Sequence, residues 1–302
     1  MSELAALPPG RPRRLVYFGT PVMAVQPLEA LVAAGFDVAL VVTRIDKRRG
    51  RGNEVAPSPV KIAAQRLGIA VSHSVDDALN VGADLGVVVA FGQLIRPHVL
   101  ASLPMVNLHF SLLPRWRGAA PVERALLSGD AVTGVCLMQL AEGLDTGPVI
   151  DVVEVPIGPR DTADDLRQRL VDVGARQLVE ALQRGLGEPQ AQVGEPTHAA
   201  KLQPIEFAID WRRPATEIDR LVRLGVAYAR FRGKRLKVLA TEHSELAGAP
   251  GTFVAPTVVA CGDASLVLAR VQPEGKPPMD ALAWANGTRP AIGEHFDESM
   301  TT

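Results

Sequence analysis

The chain has 302 residues, of which 47% are hydrophobic and 22% are charged, a composition typical of globular proteins and unlike that of disordered or fibrous ones. This length allows two domains of ordinary size, and the formal net charge of -1 favours no particular class of partner. The two cysteines are far apart and the six histidines form no H-x-x-x-H pair, so we expect reduced thiols and no metal site.

The first predicted element is a leader. Residues 1–14 contain a short apolar piece followed by basic residues, the reverse of the order found in secretory signals. No apolar run in the sequence approaches the length of a membrane span. We therefore expect a flexible leader at residues 1–14 and a soluble, cytoplasmic protein.

Residues 15–184 alternate short β-branched runs with helical patterns. The predicted strands are 15–19, 37–43, 69–72, 85–91, 105–110, 133–140 and 149–155. The predicted helices are 24–34, 59–67, 76–81, 97–103, 121–128 and 163–183. Such units, recurring roughly every 20–30 residues, predict an α/β domain with a Rossmann-like parallel sheet and helices on its faces.

The rest of the chain differs in pattern. Residues 185–204 carry Gly, Glu, Pro and Gln without periodicity, and we predict a linker there. Beyond it, a helix at 216–224 precedes several short strands that are separated by turn signals. This pattern predicts a small OB-like β-barrel domain over residues 205–302.

The predicted strand 105–110 carries the first candidate site residues. Alternation places its apolar residues on one face and both Asn107 and His109 on the other. A Gly- and Pro-rich segment follows, so the strand ends here, and ligands of open α/β sheets bind beyond the carboxyl ends of the strands. The alternative is that both polar side chains are packed and hydrogen-bonded within the fold. We predict that they face a binding site.

A second candidate follows the predicted strand 133–140. Residues 141–147 (AEGLDTG) form a tight loop with two glycines and two carboxylates, Glu142 and Asp145. The glycines allow the backbone to approach a ligand closely, and Asp145 lies near the point where a strand passes into a loop. Taken alone, this pattern is also that of an ordinary turn.

Several strings together resemble the signature of the folate-dependent formyltransferases. They are Asn107-Leu108-His109, Ser111-Leu112-Leu113-Pro114 and Asp145-Thr146-Gly147. Residues 111–121 (SLLPRWRGAAP) resemble the members that formylate methionyl-tRNA, and the similarity covers residues 15–288 in the expected order. The resemblance implies transfer of a formyl group from 10-formyltetrahydrofolate to the α-amino group of initiator methionyl-tRNA, for translation initiation.

The resemblance also implies roles for particular residues. It makes Asn107, His109 and Asp145 catalytic: the amide and a protonated imidazole are suited to donate to a developing oxyanion, and the carboxylate would raise the pKa of His109. The folate is expected along the turn after strand 85–91 and the loop after strand 133–140. The folate-binding residues expected from the resemblance are Phe91, Gly92, Gln93, Leu94, Ile95, Ser111, Leu112, Leu113, Pro114, Leu140, Glu142 and Gly143.

Two basic regions are candidates for binding nucleic acid. Residues 44–52 (RIDKRRGRG) hold five basic residues against one acid, and residues 201–237 hold ten against four. A solvated charged surface is the alternative for both, whereas a Gly-rich basic loop suits phosphate contacts to tRNA. The predicted nucleic-acid-binding residues are Arg44, Lys47, Arg48, Arg49, Arg51, Arg232, Lys234 and Arg235.

Two other functions stay open on the sequence. A formyltransferase that acts on a nucleotide-linked amino sugar would share Asn107, His109 and Asp145, but gives no reason for the basic loop. A nucleotide- or RNA-binding module without catalysis would explain the basic regions and leave those three side chains without a role. Residues 225–230 (GVAYAR) depart from a Pro-rich stretch frequent in the family. We expect a monomer without metal or membrane association.

Overall fold

The computed structural model describes residues 4–49 and 54–297, which divide into two compact units. The first unit extends to Val122 and also contains Val132–Pro156 and Leu166–Ala200. The second unit contains Glu123–Ala131, Ile157–Asp165 and the chain from Lys201 onward. Residues 1–3 of the predicted leader and 298–302 of the predicted second domain lie outside the described residues.

The secondary structure up to residue 200 alternates strands and helices. The strands are β1 (Arg14–Gly19), β2 (Asp37–Val42), β3 (Lys47–Arg49), β4 (Glu54–Ala56), β5 (Val71–Ser72), β6 (Leu85–Val89), β7 (Met105–His109), β8 (Arg117–Gly118), β9 (Val132–Gln139), β10 (Val149–Pro156) and β11 (His198–Ala199). The α-helices are α1 (Val25–Ala33), α2 (Pro59–Arg66), α3 (Pro97–Ser102), α4 (Pro121–Ser128) and α5 (Ala163–Arg184). The predicted helix at 76–81 is a 3₁₀ helix, Asp76–Asn80.

The main sheet of the first unit has the strand order β10-β9-β7-β6-β1-β2-β5. The strands β5, β2, β1, β6 and β7 pair in parallel, which confirms the predicted parallel sheet for this part. By contrast, β9 is antiparallel to β7, and β10 is antiparallel to β9. Only residues 140–148 join β9 to β10, fewer than the crossover of about a dozen residues that parallel neighbours require.

The antiparallel direction of β9 determines where the next loop begins. The N–H of Leu140 donates to the carbonyl of Met105 at 2.9 Å, so the loop starts beside the first residue of β7. A residue of the loop 141–147 can therefore approach the carboxyl end of β7 only if the loop runs back along that strand.

The central strands β1, β6 and β7 are buried along nearly their whole length. Continuous apolar runs such as LGVVV in β6 are typical of strands that are covered on both faces. One core cluster contains Phe18 of β1, Phe91 after β6, and Val99 of α3. The rings of Phe18 and Phe91 meet edge to face with centroids 5.5 Å apart. This packing fixes the turn that follows β6.

Part of the predicted leader packs on the first unit. The N–H of Ala5 donates to the carbonyl of Leu100 at 2.9 Å, and the Gln139 amide donates to the carbonyl of Ala5 at 3.3 Å. The Arg11 guanidinium lies over the Phe36 ring, 5.3 Å from its centroid. The described residues before β1 are thus in contact with the sheet unit.

The second unit is built on short strands, as predicted, and these strands pair antiparallel. They are β12 (Tyr228–Phe231), β13 (Lys234–Ser244), β14 (Phe253–Ala255), β15 (Val258–Ala260), β16 (Ser265–Pro273) and β17 (Met279–Asp280). Their order is β12-β13-β16-β15-β14, with β17 paired to β16. Its α-helices include α6 (Ala215–Val222) and α7 (Ala281–Thr288). Across the described part of the chain, no helix combines the length and apolarity that crossing a membrane requires.

Aromatic side chains form the centre of the second unit. Trp211, Phe231, Phe253, Trp284 and Phe296 are all buried in one cluster. The Phe231 ring lies 5.3–5.7 Å from the rings of Phe253, Trp284 and Phe296. Such rings bury large apolar areas, so this cluster accounts for much of the stability of the unit.

Gly134 of β9 has no room for a side chain. A Cβ there would lie 2.4 Å from the carbonyl oxygen of Val153 and 2.4 Å from Cδ2 of Leu112. We predict that Gly134→Ala lowers the free energy of unfolding by about 1–3 kcal/mol, the usual cost of overpacking a core. Chemical denaturation measures this, with Gly187→Ala as the control, because a Cβ at Gly187 meets no described atom within 4 Å. Equal loss of stability in both variants would contradict the packing argument.

Candidate active site

Asn107 and His109 lie on β7, and His109 is its last residue. Their exposed fractions are only 8% and 5%. Strand alternation places both side chains on one face. Buried polar groups require hydrogen-bond partners, either in the protein or in a ligand. The partners of these two residues therefore indicate what the site can do.

The His109 ring is held between a backbone carbonyl and a carboxylate. Nε2 lies 3.0 Å from the carbonyl oxygen of Trp116. A carbonyl can only accept, so Nε2 carries the proton. Nδ1 lies 3.7 Å from Oδ2 of Asp145. In the neutral ring, Nδ1 thus has a free lone pair on the side of the carboxylate.

The loop after β7 positions the Trp116 carbonyl. Trp116 has a φ of 62°, in the left-handed region that residues other than glycine rarely adopt. Its N–H donates to Oγ1 of Thr197 at 2.9 Å. The buried Ser111 hydroxyl donates to the carbonyl of Arg115 at 2.6 Å. These bonds hold the loop so that the Trp116 carbonyl meets His109.

Asp145 comes from the loop between β9 and β10. It is 8% exposed and has a φ of 51°. Its Oδ2, the oxygen nearest His109, accepts the N–H of Gly118 at 2.7 Å. Gly118 has a φ of 122°, and a Cβ there would lie 2.8 Å from the carbonyl oxygen of Ala199, so this approach requires glycine. The structure thus brings Asp145 to His109.

Burial lowers the pKa of His109, because the interior disfavours the charged imidazolium. Asp145 and the bond to Trp116 act in the opposite direction, but burial outweighs them. The expected effect of Asp145, which is to raise the pKa of His109, is therefore present, but burial has the larger effect and the net pKa is lowered. The sequence reveals a carboxylate that can approach the ring, but it does not reveal how deeply the ring is buried. The net effect therefore favours the neutral form of the imidazole.

The Asn107 amide is available for a ligand. Among residues 4–49 and 54–297, no group forms a hydrogen bond with it, and its polar atoms are not sealed in the interior. A free amide donor beside a neutral imidazole and a carboxylate is a suitable arrangement for acyl transfer, in which an oxyanion develops and a proton moves.

The turn after β6 contains five of the expected folate-binding residues. Phe91 and Ile95 are buried in the core, with exposed fractions of 3% and 8%, so they can offer a ligand little beyond their backbone. Leu94 is 80% exposed, and Gln93 is half-buried. The turn is therefore held in the core by Phe91 and Ile95, and it exposes the apolar side chain of Leu94 to solvent.

Backbone groups of the same turn differ in their availability. The carbonyl of Phe91 accepts from Thr20 at 3.1 Å, and the carbonyl of Gly92 accepts from Arg44 at 3.0 Å. Gly92 has a φ of 67°, which turns the chain away from β6. Within the described chain, the backbone groups of residues 93–95 form no hydrogen bond. They are therefore free to bind a ligand.

The other expected folate-binding residues lie in two loops. Ser111 is fully buried in the loop after β7 and bonds within it, whereas Leu112, Leu113 and Pro114 are half-buried. In the loop after β9, Leu140 is half-buried and both Glu142 and Gly143 are exposed. The half-buried and exposed residues can reach a ligand, whereas the Ser111 hydroxyl is bonded within its loop.

The first basic region is partly a hairpin. The backbone of β3, which contains Lys47, Arg48 and Arg49, pairs antiparallel with β4. Arg44 precedes it and its guanidinium contacts the turn after β6. The predicted nucleic-acid-binding residue Arg51 lies outside the described residues. The run of basic residues in this segment thus belongs to a short β-ribbon, which the Gly-rich sequence alone does not predict.

The Arg232 side chain is bonded to residues of the second unit. With Gly233 it forms the turn between β12 and β13, and their φ values of 50° and 75° match the favoured two-residue hairpin. Its Nε and Nη2 lie 2.6 and 2.7 Å from the two carboxylate oxygens of Glu294. A tRNA phosphate would have to compete with this bidentate pair.

A groove in the second unit collects further basic side chains. It has a volume of about 540 Å³, and Phe231 and Trp284 contribute to its lining. Lys234, Arg235 and Lys276 also line it, and Lys234 is exposed. Two of the three predicted residues of this region therefore remain suitable for phosphate contacts.

The sequence patterns do not identify Trp116, Gly118 or Thr197 as site residues. Trp116 acts through its carbonyl and Gly118 through its N–H, so the residue types carry little signal. Thr197 lies in the predicted linker, which has no periodicity. The one usable signal is a glycine in a loop between two prolines, since glycine often marks close backbone approach.

Comparisons with known proteins agree with one another. The family model described as "Formyl transferase" matches residues 13–182, and that described as "Formyl transferase, C-terminal domain" matches residues 201–289. A methionyl-tRNA formyltransferase of Dinoroseobacter shibae is 44% identical, over 92% of this chain and 99% of its own. One of Jannaschia sp. is 43% identical, over 93% of this chain and 98% of its own.

A solved structure resembles the chain in fold. The N-formyltransferase of Helicobacter canadensis, in complex with folinic acid and dTDP-3-aminofucose, aligns with a TM-score of 0.65 at 18% identity. The alignment covers 86% of this chain and 99% of that chain. At this identity the likeness concerns the fold and not the acceptor.

The environment of His109 predicts a pH dependence of turnover. A neutral Nδ1 is needed to accept a proton, so kcat should fall as the pH drops through the pKa of His109, which burial lowers. Asp145→Asn removes a charge that raises this pKa, so the acid limb of the kcat profile should move to lower pH while kcat itself decreases. An acid limb that moves to higher pH in the variant would contradict this assignment.

Proposed function

The chain belongs to the formyltransferase family, and we propose that it transfers a formyl group from 10-formyltetrahydrofolate to the α-amino group of initiator methionyl-tRNA. The observation that carries the chemistry is the buried His109 ring with Nδ1 3.7 Å from Asp145, beside an Asn107 amide that bonds to no described residue. The identity of 44% with a methionyl-tRNA formyltransferase over nearly the whole of both chains supports the acceptor.

In the proposed reaction, the α-amine attacks the formyl carbon of the folate donor. A new carbon–nitrogen bond forms, the bond from the formyl carbon to N10 of the folate breaks, and one proton passes from the amine to N10. The tetrahedral intermediate carries an oxyanion. The site therefore needs one donor for the oxyanion and one group that moves the proton.

The three candidate residues fit these two needs. The Asn107 amide donates to the oxyanion without giving up a bond to any described residue. His109 Nδ1 takes the amine proton and passes it to N10. Asp145 stabilises the imidazolium that exists between these two transfers, since its negative charge raises the pKa of the ring. His109 is thus proposed as a proton carrier and not as a permanently charged donor.

The proposed folate site uses the turn after β6 and the loop after β9. Free backbone groups at residues 93–95 can bond the polar edge of a pterin, and the exposed Leu94 can cover its face. In the second loop, Leu140, Glu142 and Gly143 are accessible. The Helicobacter canadensis neighbour was solved with folinic acid, which supports a folate-type donor on this fold.

The proposed tRNA contacts lie on the basic hairpin and in the second unit. Residues 44–49 contain four basic residues and one acid, and attraction to phosphates is the main source of affinity for nucleic acid. In the second unit, the exposed Lys234 and the groove-lining Arg235 are better placed for phosphate than the paired Arg232. We propose that the enzyme acts as a monomer in the cytoplasm, where charged initiator tRNA is used.

An acceptor assay separates this proposal from transfer to an amino sugar. Purified enzyme and 10-formyltetrahydrofolate are offered charged initiator tRNA, a dTDP-amino sugar and free methionine in separate reactions. We expect rapid formylation of the charged tRNA alone. Formylation of the sugar but not of the tRNA would overturn the acceptor while leaving the chemistry intact, and formylation of none would overturn the whole proposal.

Loss of the oxyanion donor should slow the chemical step. We predict that Asn107→Ala lowers kcat by roughly 10²–10³-fold, the usual effect of removing one such donor. The exposed Asn80, which lies outside the site, provides the control Asn80→Ala with unchanged kcat. Rapid-quench kinetics with saturating substrates measure both variants, and near-normal kcat in a folded Asn107→Ala protein would remove Asn107 from the mechanism.

Charge reversal on the hairpin should weaken tRNA binding selectively. We predict that Arg48→Glu/Arg49→Glu raises the KM for charged tRNA by more than tenfold at low salt and leaves the KM for the folate donor unchanged, because phosphate contacts release counterions. The exposed pair Arg13→Glu/Arg176→Glu changes the total charge equally and is the control. Equal effects of both double variants would show that net charge matters and the hairpin does not.

A further inference from the structure

The linker that follows α5 is bound to the site over residues 190–199, a segment that we call the strap. Gln190 pairs through its backbone with Val149, with both N–H···O distances at 2.7 Å. Further along, Thr197 accepts from Trp116, and β11 pairs in parallel with β8. The strap therefore contacts both loops that carry the groups facing His109. Its lack of sequence periodicity reflects this extended course.

Gln192 lies in the middle of the strap, and both the nitrogen and the oxygen of its side-chain amide form hydrogen bonds. Nε2 donates to the carbonyls of Asp145 and Gly147, each at 2.8 Å. Oε1 accepts from Nε and Nη2 of Arg117 at 3.0 and 2.6 Å. The reversed amide would place an oxygen against two carbonyls and an NH₂ against guanidinium donors, so the partners determine the orientation.

These contacts form a closed ring around the carboxylate. The Asp145 carboxylate accepts from the N–H of Gly118, the residue after Arg117. The Asp145 carbonyl is joined to Arg117 through Gln192. Both ends of the Asp145 residue are therefore tied to β8, one directly and one through the strap.

The Asp145 loop needs this support. Asp145 has a φ of 51°, a conformation that is costly for a residue other than glycine and persists only where its surroundings hold it. On the other side, a Cβ on Gly147 would lie 1.8 Å from the carbonyl oxygen of Gln139, so the loop is pressed against β9 there. Gln192 is the side chain that binds the carbonyls of both Asp145 and Gly147.

We propose that Gln192 is a positioning residue for formyl transfer, which holds the Asp145 carboxylate at the distance from which it stabilises the His109 imidazolium. This inference rests on the proposed function of His109 and Asp145. Without the amide, the two loop carbonyls lose their donor, and the carboxylate can move away from Nδ1. A misplacement of about 1 Å can lower a rate about 10²-fold.

Two substitutions separate the bonds that Gln192 donates to the loop carbonyls from the bonds that it accepts from Arg117. Gln192→Ala removes both sets of bonds. Gln192→Glu keeps acceptors for Arg117 but places a carboxylate oxygen against the two carbonyls. We expect each to lower kcat by roughly 10- to 100-fold, with the KM values for folate and tRNA changed much less. In Gln192→Ala, which adds no charge, the acid limb of the kcat profile should move to lower pH, as in Asp145→Asn. Full activity in Gln192→Glu would overturn the role of the carbonyl contacts.

A double-variant cycle tests whether Gln192 acts through Asp145. If it does, Gln192→Ala should lower kcat little further in the Asp145→Asn background, since residues that act as one unit are not additive. Multiplied losses, or an unchanged pH profile in the single variant, would indicate a merely structural role and overturn the proposal.

Gln190→Ala is the matched control in the same segment. Among the described residues, its side chain donates only to the carbonyl of Glu188, whereas its bonds to Val149 use the backbone, so its kcat and pH profile should be unchanged. Thermal unfolding of all variants shows whether they fold, and Gln192→Glu still decides the question if Gln192→Ala does not fold. Should the wild-type enzyme prefer another amine, the same kinetics with that acceptor test Gln192 independently of the tRNA assignment.

Discussion

A buried imidazole between a backbone carbonyl and a carboxylate is the constraint on which the site depends. His109 donates from Nε2 to the carbonyl of Trp116, and this bond leaves Nδ1 without a proton and 3.7 Å from Asp145. Burial lowers the pKa of the ring and so favours its neutral form, and the carboxylate makes proton uptake less costly. In the proposed mechanism the ring takes a proton and releases it again, as transfer of a formyl group from one nitrogen to another requires.

Other parts of the first unit hold the His109 ring, the Trp116 carbonyl and the Asp145 carboxylate in place. The loop after β7 adopts a left-handed conformation at Trp116 so that its carbonyl meets the ring. The loop after β9 returns along β7, because β9 runs antiparallel, and delivers Asp145. The strap then joins both loops, with Thr197 on the first and Gln192 on the second. A segment without helix or strand periodicity thus contacts both loops of the candidate site.

Strand alternation in the sequence is sufficient to pair Asn107 with His109 and to place them at a sheet edge. It cannot place Asp145, since that position depends on β9 running antiparallel to β7, and only family resemblance suggests it. It cannot give the direction in which the pKa of His109 shifts either, because burial lowers this pKa while the nearby carboxylate raises it. The sequence does not indicate a role for Gln192, because nothing in the pattern of the linker distinguishes this amide from its Gly, Glu and Pro neighbours. The parallel part of the sheet and the division into an α/β domain and a mostly β domain follow from local patterns and are predicted well, whereas the antiparallel direction of β9 and β10 is not.

The protonation of His109 tests the account most directly. Nitrogen-15 NMR of the ring, assigned by comparison with His109→Gln, reports both its pKa and the nitrogen that carries the proton in the neutral form. The account predicts a pKa below the ordinary histidine value of 6.5 and a neutral ring with its proton on Nε2. A pKa above 6.5, or a neutral ring with its proton on Nδ1, would contradict the proton-carrier mechanism.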